Sequence, residues 1–498
     1  MAGHFVLVPL MAQGHMIPMI DMARLFAERG ILVSLVTTPH NASRIETAIS
    51  RAIDSGLPIK LVQIKFPSQE VGLPIGYENL DSLPSRDLLG KFFKALDMLQ
   101  QPLEEYLRGD QNTVPPSCII SDRSLFWTSE IAKKFGIPRI VFHGMCCFSL
   151  LASHNIKLHN VLQSVTSDSE PFLIPGLSDH ETNNNIRIKV TKAQLPGSFV
   201  TQPDLDEFRD KMRDAESESF GVVVNSFEEL ENGFQEQLSI ALNKRVWCIG
   251  PVSLCNKDNL DKVERGNKAS ITERQCVEWL DKMKPNSVVY ACLGSQCRLV
   301  VSQLRELGLG LEACGKPFVW VVKREEKNFH EFERWLEGEN FEERIKGKGL
   351  LIKGWAPQVL ILAHPAIGGF LTHCGWNSTI EGVCSGLPLI TWPLFAEQFL
   401  NEKLVVELLK IGVSVGVEVP VRWGDEEKVG VLVKKDDVKK AIMMVMDGGD
   451  QEGKNRRKRA KELGELARKA IEEGGTSHLN MSSLIQDVME QINSHGDI

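Results

Sequence analysis

The sequence of 498 residues lacks a long apolar run, a secretory signal and a paired-cysteine framework. Its first residues, MAGHFVLVPL, have no basic region and too short an apolar stretch for a signal peptide, and its polar end, SHGDI, carries no spanning helix. The 11 cysteines are odd in number and include no CxxC pair, which indicates thiols kept in a reducing compartment. We therefore expect a cytoplasmic protein with no integral membrane segment.

The sequence also lacks clustered positive charge and the spacing of metal ligands. The net charge is −8 at pH 7 and the basic residues are scattered, so a face for nucleic acid is not indicated. A short basic run at 455–461 (NRRKRAK) is followed by Glu462 and Glu465 at helical spacing, which favours a solvated helix face. The 12 histidines show no metal-ligand spacing. We expect a small-molecule partner, no nucleic acid, no metal and a monomeric chain.

What the sequence does contain is an alternation of β-branched runs with stretches of helical period. HFVLVPL, ILVSLVTT and IKLVQIKF succeed one another in the first third, and the alternation restarts at SVVYACLG. Because single cores stop growing near roughly 250–300 residues, the pattern predicts two doubly wound α/β domains. We place them at 1–252 and 253–475, the second opening with a polar linker at about 253–270, and expect a last helix at 476–498 to pack back on the first. Ligands of such sheets bind beyond the carboxyl ends of the strands, so a cleft between facing domains is the expected site.

The segment from Trp355 to Gln398 is the most informative stretch of the chain. A strand is expected to end at Thr372-His373, and a helix opens after a Cys-Gly turn at Asn377-Ser378, where free N–H groups and the helix dipole favour a phosphate. Asn and Ser are also common helix caps, which is the alternative interpretation of these two residues. The whole segment resembles the signature box of plant UDP-dependent glycosyltransferases, and MAQGHMIPMI, ISDRSLFW and VVVNSFEELE extend the resemblance along the chain.

That resemblance implies a GT-B architecture of two facing Rossmann-like domains, with an N-terminal acceptor domain and a C-terminal donor domain. It also implies metal-free, inverting transfer from UDP-glucose as co-substrate, without a cofactor. Details such as VTTPHN and KGWAPQ are similar to the branch that acts on triterpenoids, flavonols, cytokinins and brassinosteroids. The residues that the resemblance assigns to the donor are Ser295, Trp355, Ala356, Gln358, His373, Trp376, Asn377, Ser378, Glu381, Glu397 and Gln398.

Each implied donor contact suits its chemistry. The indole of Trp355 is a platform for uracil, and Gln358 and Glu381 bind the ribose hydroxyls. The phosphates are assigned to Ser295, His373, Asn377 and Ser378, and the sugar to Trp376, Glu397 and Gln398. The family more often has Asp where this chain has Glu397, which keeps the carboxylate on a longer arm. A glutamine at Gln398 is the family's pattern for glucose.

His15 follows one predicted strand of the first domain and Asp122 ends another. A lone histidine is usually structural, and Asp122 by itself reads as a helix cap. Parallel strands bring both residues to one sheet edge, where a carboxylate on one imidazole nitrogen orients the other nitrogen to take an acceptor proton. The family uses this His and Asp pair, so the resemblance implies His15 as the base and Asp122 as its partner.

The acceptor side is predicted from residues near these strand ends. The run 145–148 (MCCF) follows the strand that ends at His143 and offers no donors to a polar substrate, although it suits the buried face of the next helix equally well. We name Gly14, His143 and Phe148 as acceptor-binding residues. The expected products are β-glucosides of triterpenoids or flavonoids, with cytokinins or brassinosteroids as the alternative acceptors.

Three other interpretations fit parts of the pattern. An oxidoreductase needs a glycine fingerprint after a strand, whereas the matching run at 308–313 (GLGLEA) lies within a helical stretch. The DxD motif of metal-dependent glycosyltransferases is matched at 204–206 (DLD), but this follows Pro203 at a helix start, where carboxylates complement the dipole. A non-catalytic UDP-sugar-binding protein would keep the box and could lose His15 or Asp122, and both are present.

Overall fold

The computed structural model describes residues 3–109, 114–178, 186–199, 203–324, 326–447 and 449–496. In chain order the strands are β1 (His4–Val8), β2 (Leu32–Thr37), β3 (Ile59–Gln63), β4 (Cys118–Asp122), β5 (Arg139–His143), β6 (Pro171–Leu173), β7 (Lys189–Thr191), β8 (Gly221–Val224), β9 (Arg245–Cys248), β10 (Val288–Cys292), β11 (Phe318–Val322), β12 (Gly349–Lys353), β13 (Ile367–Thr372), β14 (Leu389–Thr391) and β15 (Gly412–Ser414).

The α-helices are α1 (Gln13–Ala27), α2 (Pro39–Asp54), α3 (Leu89–Asp97), α4 (Gln100–Gly109), α5 (Thr128–Phe135), α6 (Cys147–Leu158), α7 (Pro203–Ser217), α8 (Glu228–Glu231), α9 (Phe234–Leu242), α10 (Asn259–Val263), α11 (Glu273–Leu280), α12 (Val301–Ala313), α13 (Glu326–Gly338), α14 (Phe341–Arg344), α15 (Gln358–Leu362), α16 (Trp376–Cys384), α17 (Gln398–Lys403), α18 (Glu426–Val429), α19 (Lys435–Met446), α20 (Gln451–Ile471) and α21 (Thr476–Gly496). Short 3-10 turns lie at Leu80–Ser82, Arg86–Leu88, Val161–Gln163, Lys192–Gln194, Gly197–Phe199 and Val252–Cys255.

The first sheet has seven parallel strands in the order β3-β2-β1-β4-β5-β8-β9. Its central strands β1 and β4 are buried along their whole length, as is usual in parallel sheets that helices cover on both faces. The strand order reverses direction between β1 and β4, and this switch point is where ligands of such sheets bind.

The second sheet has six parallel strands in the order β12-β11-β10-β13-β14-β15, with its switch point between β10 and β13. Gly308 and Gly310 lie in α12, where an added Cβ would crowd Trp320 and Val438. These glycines therefore allow close packing of a helix and do not form a nucleotide loop. Both sheets together confirm the predicted α/β class with two doubly wound domains.

By its contacts the chain forms two compact units. The first takes in the described residues of 1–147, 201–267 and 470–498, and the second those of 148–200 and 268–469. In the first unit α21 packs along edge strand β9, where the Asn480 amide donates to the Cys248 carbonyl at 3.1 Å. Residues 497 and 498 of the predicted last helix lie outside the described residues. The predicted boundary at residue 252 and the facing of two domains across a cleft stay predictions.

The polar linker predicted at about 253–270 is held by ion pairs in the first unit. α10 forms inside it, and Asp261 accepts from Arg24 of α1 at 2.7 Å. Arg265 pairs with the buried Asp21, also on α1, at 2.8 Å. The weakly patterned charges of this segment are thus partners for the helix that carries His15.

A π-helical turn at Leu404–Leu408 follows α17. One helical prediction needs correction, because the basic run on α20 is not a wholly solvated face. Arg456 is 8% exposed and donates to the Met444 carbonyl, and Arg457 donates to the Gly368 carbonyl at 2.9 Å. These guanidinium groups satisfy carbonyls at the ends of neighbouring elements.

Within the described ranges no helix is both long and apolar enough to cross a bilayer.

Candidate active site

His15 and Asp122 meet at the switch point of the first sheet. β1 pairs with β4 so that Val8 lies opposite Ser121, and α1 starts shortly after β1. This brings the imidazole Nδ1 of His15 to 2.5 Å from Oδ2 of Asp122. The His15 side chain is 34% exposed and that of Asp122 only 2%, so a buried carboxylate holds a ring that reaches the surface.

The Asp122 carboxylate is fixed on both oxygens. Oδ1 accepts the backbone N–H of Ser124 at 2.9 Å while Oδ2 engages His15. Burial alone would raise the pKa of Asp122, but the charge and hydrogen bond of His15 and the Ser124 N–H hold that pKa below its ordinary value. α5 begins only at Thr128, with Trp127 as its N-cap, so the helix-cap interpretation of Asp122 is wrong.

The start of α1 is anchored beside His15. Gln13 is 2% exposed and its amide donates to the Asn267 side chain at 2.7 Å. On the other side, a Cβ added at Gly144 would lie 3.4 Å from Cε1 of the His15 ring. The start of α1 is therefore held by a partly buried amide pair, and the His15 ring lies against the backbone that follows β5.

Two of the three predicted acceptor residues are buried. His143 is 5% exposed and its Nε2 lies 2.6 Å from Glu216, which also accepts from Arg123 at 2.6 Å. Burial would raise the pKa of Glu216, yet His143 and Arg123 together hold it well below its ordinary value. Phe148 has no exposed surface, and Gly14 is exposed beside His15. Cys146 and Cys147 are also fully buried, as the alternative interpretation of the 145–148 run expects.

A half-buried aromatic cluster in the first unit was missed by sequence reasoning. Phe93 of α3 and Phe208 of α7 have ring centroids 4.7 Å apart, and Phe126 lies 5.5 Å from Phe208. Phe126 belongs to the loop that follows Asp122. The three rings come from segments that are far apart in sequence, so no local pattern could have predicted the cluster.

In the second unit, His373 lies at the switch point of the second sheet. Cys292 of β10 pairs with Thr372 of β13, and His373 comes next in the chain. Gly294 lies against the His373 ring, so an added Cβ would overlap the imidazole. Its φ of +82° is also a conformation that favours glycine. Desolvation lowers the pKa of His373 to about 4, so the ring is neutral at pH 7. Its Nδ1 is buried and has no hydrogen-bond partner in the described part of the chain.

The helix after His373 opens without a side-chain cap. Gly375 occupies the N-cap position of α16, and Asn377 and Ser378 lie inside the first turn. The alternative interpretation of Asn377 and Ser378 as ordinary caps is therefore wrong. The positive end of the helix dipole lies at this end of α16, which suits a phosphate.

The predicted ribose residues form one hydrogen-bonded group. The Gln358 amide donates to Glu381 at 2.7 Å and to the Ser378 hydroxyl at 3.1 Å. Its carbonyl accepts from the buried Tyr290 hydroxyl at 3.4 Å. α15 and α16 thus hold an amide and a carboxylate side by side, as binding of adjacent hydroxyls requires.

On the predicted sugar side, Gln398 has one end of its amide fixed. Oε1 accepts the N–H of Leu394 at 2.8 Å and of Phe395 at 3.0 Å, which directs Nε2 toward donation. A sugar hydroxyl at this residue could therefore only accept a hydrogen bond from Nε2, because Oε1 is already engaged. Glu397 is half-buried just before α17, whereas Trp376 is only 2% exposed.

Asn401 supports the turn between His373 and α16, a role that sequence reasoning missed. Cys374 adopts a φ of +63°, a conformation that is costly for residues other than glycine. The fully buried Asn401 donates to the Cys374 carbonyl at 2.8 Å and accepts from the Ser149 hydroxyl at 2.8 Å. A signal was present, since Asn401 lies one helical turn after Gln398.

The remaining donor residues follow the ends of strands in the second unit. Ser295 is half-buried in a turn after β10, and Trp355 and Ala356 follow β12, the former half-buried and the latter 7% exposed. The roles of these residues, like those of the rest of the donor set, stay predictions.

No three His, Cys, Asp or Glu side chains are grouped as a metal site among the residues that the structure describes. α7 begins at Pro203, and Asp206 pairs with Arg209 at 3.2 Å. The side chain of Asp204 lies outside the described part of the chain.

Comparison with known proteins identifies the family. Residues 199–446 match the family model described as UDP-glucoronosyl and UDP-glucosyl transferase. The chain is 57% identical to UDP-glycosyltransferase 73D1 of Arabidopsis thaliana over 501 residues, covering 98% of this chain and 97% of that one.

Solved structures agree with this similarity. One of them is Glycyrrhiza uralensis UGT73P12 complexed with glycyrrhetinic acid 3-O-monoglucuronide. It matches this chain with a TM-score of 0.89 at 36% identity, and the match covers 100% of this chain and 98% of that chain. Arabidopsis thaliana UGT89C1, complexed with UDP-L-rhamnose, has a TM-score of 0.73 at 30% identity, covering 98% and 99%. The predicted GT-B fold class is confirmed, and this chain belongs to the plant family 1 UDP-glycosyltransferases.

Proposed function

We propose that this enzyme transfers glucose from UDP-glucose, with inversion, to a hydroxyl group on a small apolar plant metabolite. The observation that carries the proposal is the pair of His15 and Asp122 at the first switch point. Because the buried carboxylate binds Nδ1, Nε2 is the ring nitrogen that takes the acceptor proton. The same carboxylate stabilises the imidazolium that forms.

The acceptor oxygen, once deprotonated by His15, attacks the anomeric carbon from the face opposite UDP. The bond from that carbon to the UDP oxygen breaks, and UDP leaves with the electron pair. Direct displacement needs no covalent sugar intermediate and therefore no second catalytic carboxylate. The product is a β-glucoside.

The donor assignment is supported by the grouping of Gln358, Glu381 and Ser378 and by the uncapped start of α16. A neutral His373 donates a hydrogen bond to phosphate without adding charge. For the sugar, Gln398 offers an amide donor and no cation to pair with a glucuronate carboxylate. These features favour UDP-glucose over UDP-glucuronate, and the family's pattern of a glutamine at Gln398 favours UDP-glucose over UDP-galactose.

A rigid apolar ring system, triterpenoid or flavonoid, is the acceptor class that the first unit favours. The half-buried rings of Phe93, Phe126 and Phe208 offer flat apolar surface at the loop that follows Asp122. The Glycyrrhiza uralensis relative was solved with glycyrrhetinic acid 3-O-monoglucuronide, a sugar conjugate of such a ring system. Cytokinins and brassinosteroids are the alternative acceptors.

A competition experiment tests both parts of the proposal. The enzyme is incubated with equimolar UDP-glucose, UDP-galactose and UDP-glucuronate and a panel of hydroxylated triterpenoids, flavonoids, cytokinins and brassinosteroids, and products are read by mass spectrometry. We expect hexose addition from UDP-glucose, retained on digestion by an α-glucosidase and removed by a β-glucosidase. Preferred transfer of glucuronate contradicts the donor assignment, and better kcat/KM on free sugars than on every ring system contradicts the acceptor class.

The second candidate function is non-catalytic binding of UDP-sugars. It predicts tight UDP-glucose binding with no transfer to any acceptor and no hydrolysis. The intact pairing of His15 with Asp122 favours catalysis, because a sensor has no use for an oriented base.

A further inference from the structure

Ser270 and Trp355 are joined by two reciprocal hydrogen bonds in the second unit. The backbone N–H of Ser270 donates to the Trp355 carbonyl at 2.8 Å, and the backbone N–H of Trp355 donates to the Ser270 hydroxyl at 3.0 Å. Ser270 precedes α11 and is exposed, whereas Trp355 follows β12. Both backbone polar groups of Trp355 are therefore fixed by one serine.

Gly354, just before Trp355, is shaped for this contact. Its φ of +132° is a conformation that side chains rarely adopt, and an added Cβ would overlap the Ser270 hydroxyl and lie 3.0 Å from the Ser270 Cβ. The Gly354 N–H donates to the Val322 carbonyl at 2.8 Å, which ties the same peptide to the end of β11. Only a glycine lets Ser270 approach this closely.

The indole of Trp355 depends on that backbone for its position. Its Nε1 is buried and has no hydrogen-bond partner among the described residues, so no polar contact of the ring itself sets its orientation there. The side chain is half-buried, which leaves part of the ring for a ligand. A ring of this kind follows the backbone and packing that hold its Cα.

We infer that Ser270 is a positioning residue for donor binding, which holds the Trp355 backbone so that the indole presents its face to the uracil of a UDP-sugar. The inference rests on the proposed function, because the contact of Trp355 with uracil belongs to that proposal. Ser270 acts through Trp355 and touches neither the sugar nor the reacting atoms. Its effect therefore falls on UDP affinity and on KM for the donor, with kcat nearly unchanged.

The first test is UDP affinity by isothermal titration, with kcat and KM for UDP-glucose, in Ser270→Ala, Ser270→Thr and Trp355→Ala. Loss of one hydrogen bond predicts a Kd raised about 5-fold in Ser270→Ala, and loss of a stacking platform predicts a rise of roughly 5- to 150-fold in Trp355→Ala. Ser270→Thr keeps the hydroxyl and should bind UDP like the wild type.

Thr272→Ala is the matched control, because Thr272 lies in the same segment and its hydroxyl accepts the Gln275 N–H at 3.2 Å, capping α11. We expect it to lower the melting temperature without changing UDP affinity. A rise in Kd equal to that of Ser270→Ala would show that any loosening of this segment weakens UDP binding, and would overturn the specific role of Ser270.

A double-mutant cycle isolates the contact itself. Gly354→Ala should weaken UDP binding by more than Ser270→Gly, and the double variant should bind better than the product of the two single effects, since removing the hydroxymethyl group makes room for the new Cβ. Backbone strain at residue 354 is present in both backgrounds and cancels. Unchanged UDP affinity in Ser270→Ala and Gly354→Ala, beside a weakened Trp355→Ala, overturns the inference alone. Unchanged affinity in Trp355→Ala overturns the donor assignment of the proposed function.

Discussion

The imidazole of His15 lies 2.5 Å from the carboxylate of Asp122, and His143 lies 2.6 Å from Glu216 on the same sheet edge. The two His–carboxylate pairs differ in what surrounds them. The His15 ring is partly exposed, and the Asp122 carboxylate that holds it is buried. The His143 ring is itself buried, and its partner Glu216 also binds Arg123. The His15 ring is exposed enough to contact a substrate, whereas the His143 ring is buried. The His143–Glu216 pair therefore serves as a control for the His15–Asp122 pair.

His15→Ala should lower kcat by about 10²- to 10⁴-fold, because it removes the base that takes the acceptor proton. Asp122→Asn should cost about 10²-fold or more, since an amide supports the imidazolium poorly. Isothermal titration should find UDP affinity near that of the wild type in both variants. A collapse of UDP binding in His15→Ala would contradict the division of roles between the two units.

Glu216→Gln is the control for these two variants. It removes a carboxylate of the same kind from a buried histidine, so we expect a lower melting temperature. The kcat of the folded enzyme should stay near that of the wild type, because the variant does not alter the base. A loss as large as that of Asp122→Asn would place His143 in the reaction.

Gly294→Ala should weaken UDP binding, because the new Cβ would displace the His373 ring at the start of the phosphate site. Gly315→Ala is its control, since Gly315 also has a positive φ, of +69°, but nothing lies within 4 Å of an added Cβ. Both variants carry the backbone strain of about 1 kcal/mol or more, and only Gly294→Ala carries the clash. Equal UDP affinities in the two variants would remove His373 from the donor site.

The sequence was sufficient to predict the sheets and the residues at their carboxyl ends. β-branched runs and helical periods predicted two doubly wound domains, and the ends of β1, β4 and β13 predicted His15, Asp122 and His373. Local signals sufficed here because neighbouring parallel strands meet at one edge whatever the intervening chain does.

Contacts between remote segments could not be predicted from the sequence. Ser270 and Trp355 are 85 residues apart, and a serine near a linker carries no mark of its partner. Phe148 is a case in which a local signal was present but ambiguous. An apolar residue after a strand suits a pocket or a core equally, and its complete burial depends on α6 packing that no local pattern encodes.

Gln398→Glu should lower kcat/KM for UDP-glucose by about 10-fold or more, because a carboxylate cannot donate to a sugar hydroxyl as the amide does. The carboxylate can still accept the two N–H groups of Leu394 and Phe395, so the fold of this turn is preserved. Steady-state kinetics with UDP-glucose, beside circular dichroism of the folded variant, measure the effect. Wild-type kinetics would mean that Gln398 serves the turn alone.

Excess EDTA should leave the rate unchanged, because the proposed transfer uses histidine and helix dipoles in place of a metal ion. The assay is the initial rate of UDP release before and after chelation, with Mg²⁺ and Mn²⁺ added back. A rate that falls with EDTA and returns with one metal would reopen the role of the aspartates at 204–206.

Asp97→Asn should stabilise the protein at alkaline pH. Asp97 ends α3, where a negative charge opposes the helix dipole, and its Oδ1 is buried without a hydrogen-bond partner in the described ranges. Burial raises the pKa of Asp97 to about 6 against an ordinary value of 3.8, although Lys211 opposes the shift. A folded pKa above the unfolded one means that the ionised carboxylate destabilises the fold, fully above pH 6 and not at all below pH 3.8.

We expect the melting temperature of Asp97→Asn to exceed that of the wild type by roughly 1–2 °C at pH 8. This advantage should shrink as the pH falls through 6 and be gone near pH 4. Asp210→Asn, at an exposed position on α7, should show no such trend. An Asp97→Asn advantage that is equal at pH 8 and pH 4 would mean that the burial of charge is not its source.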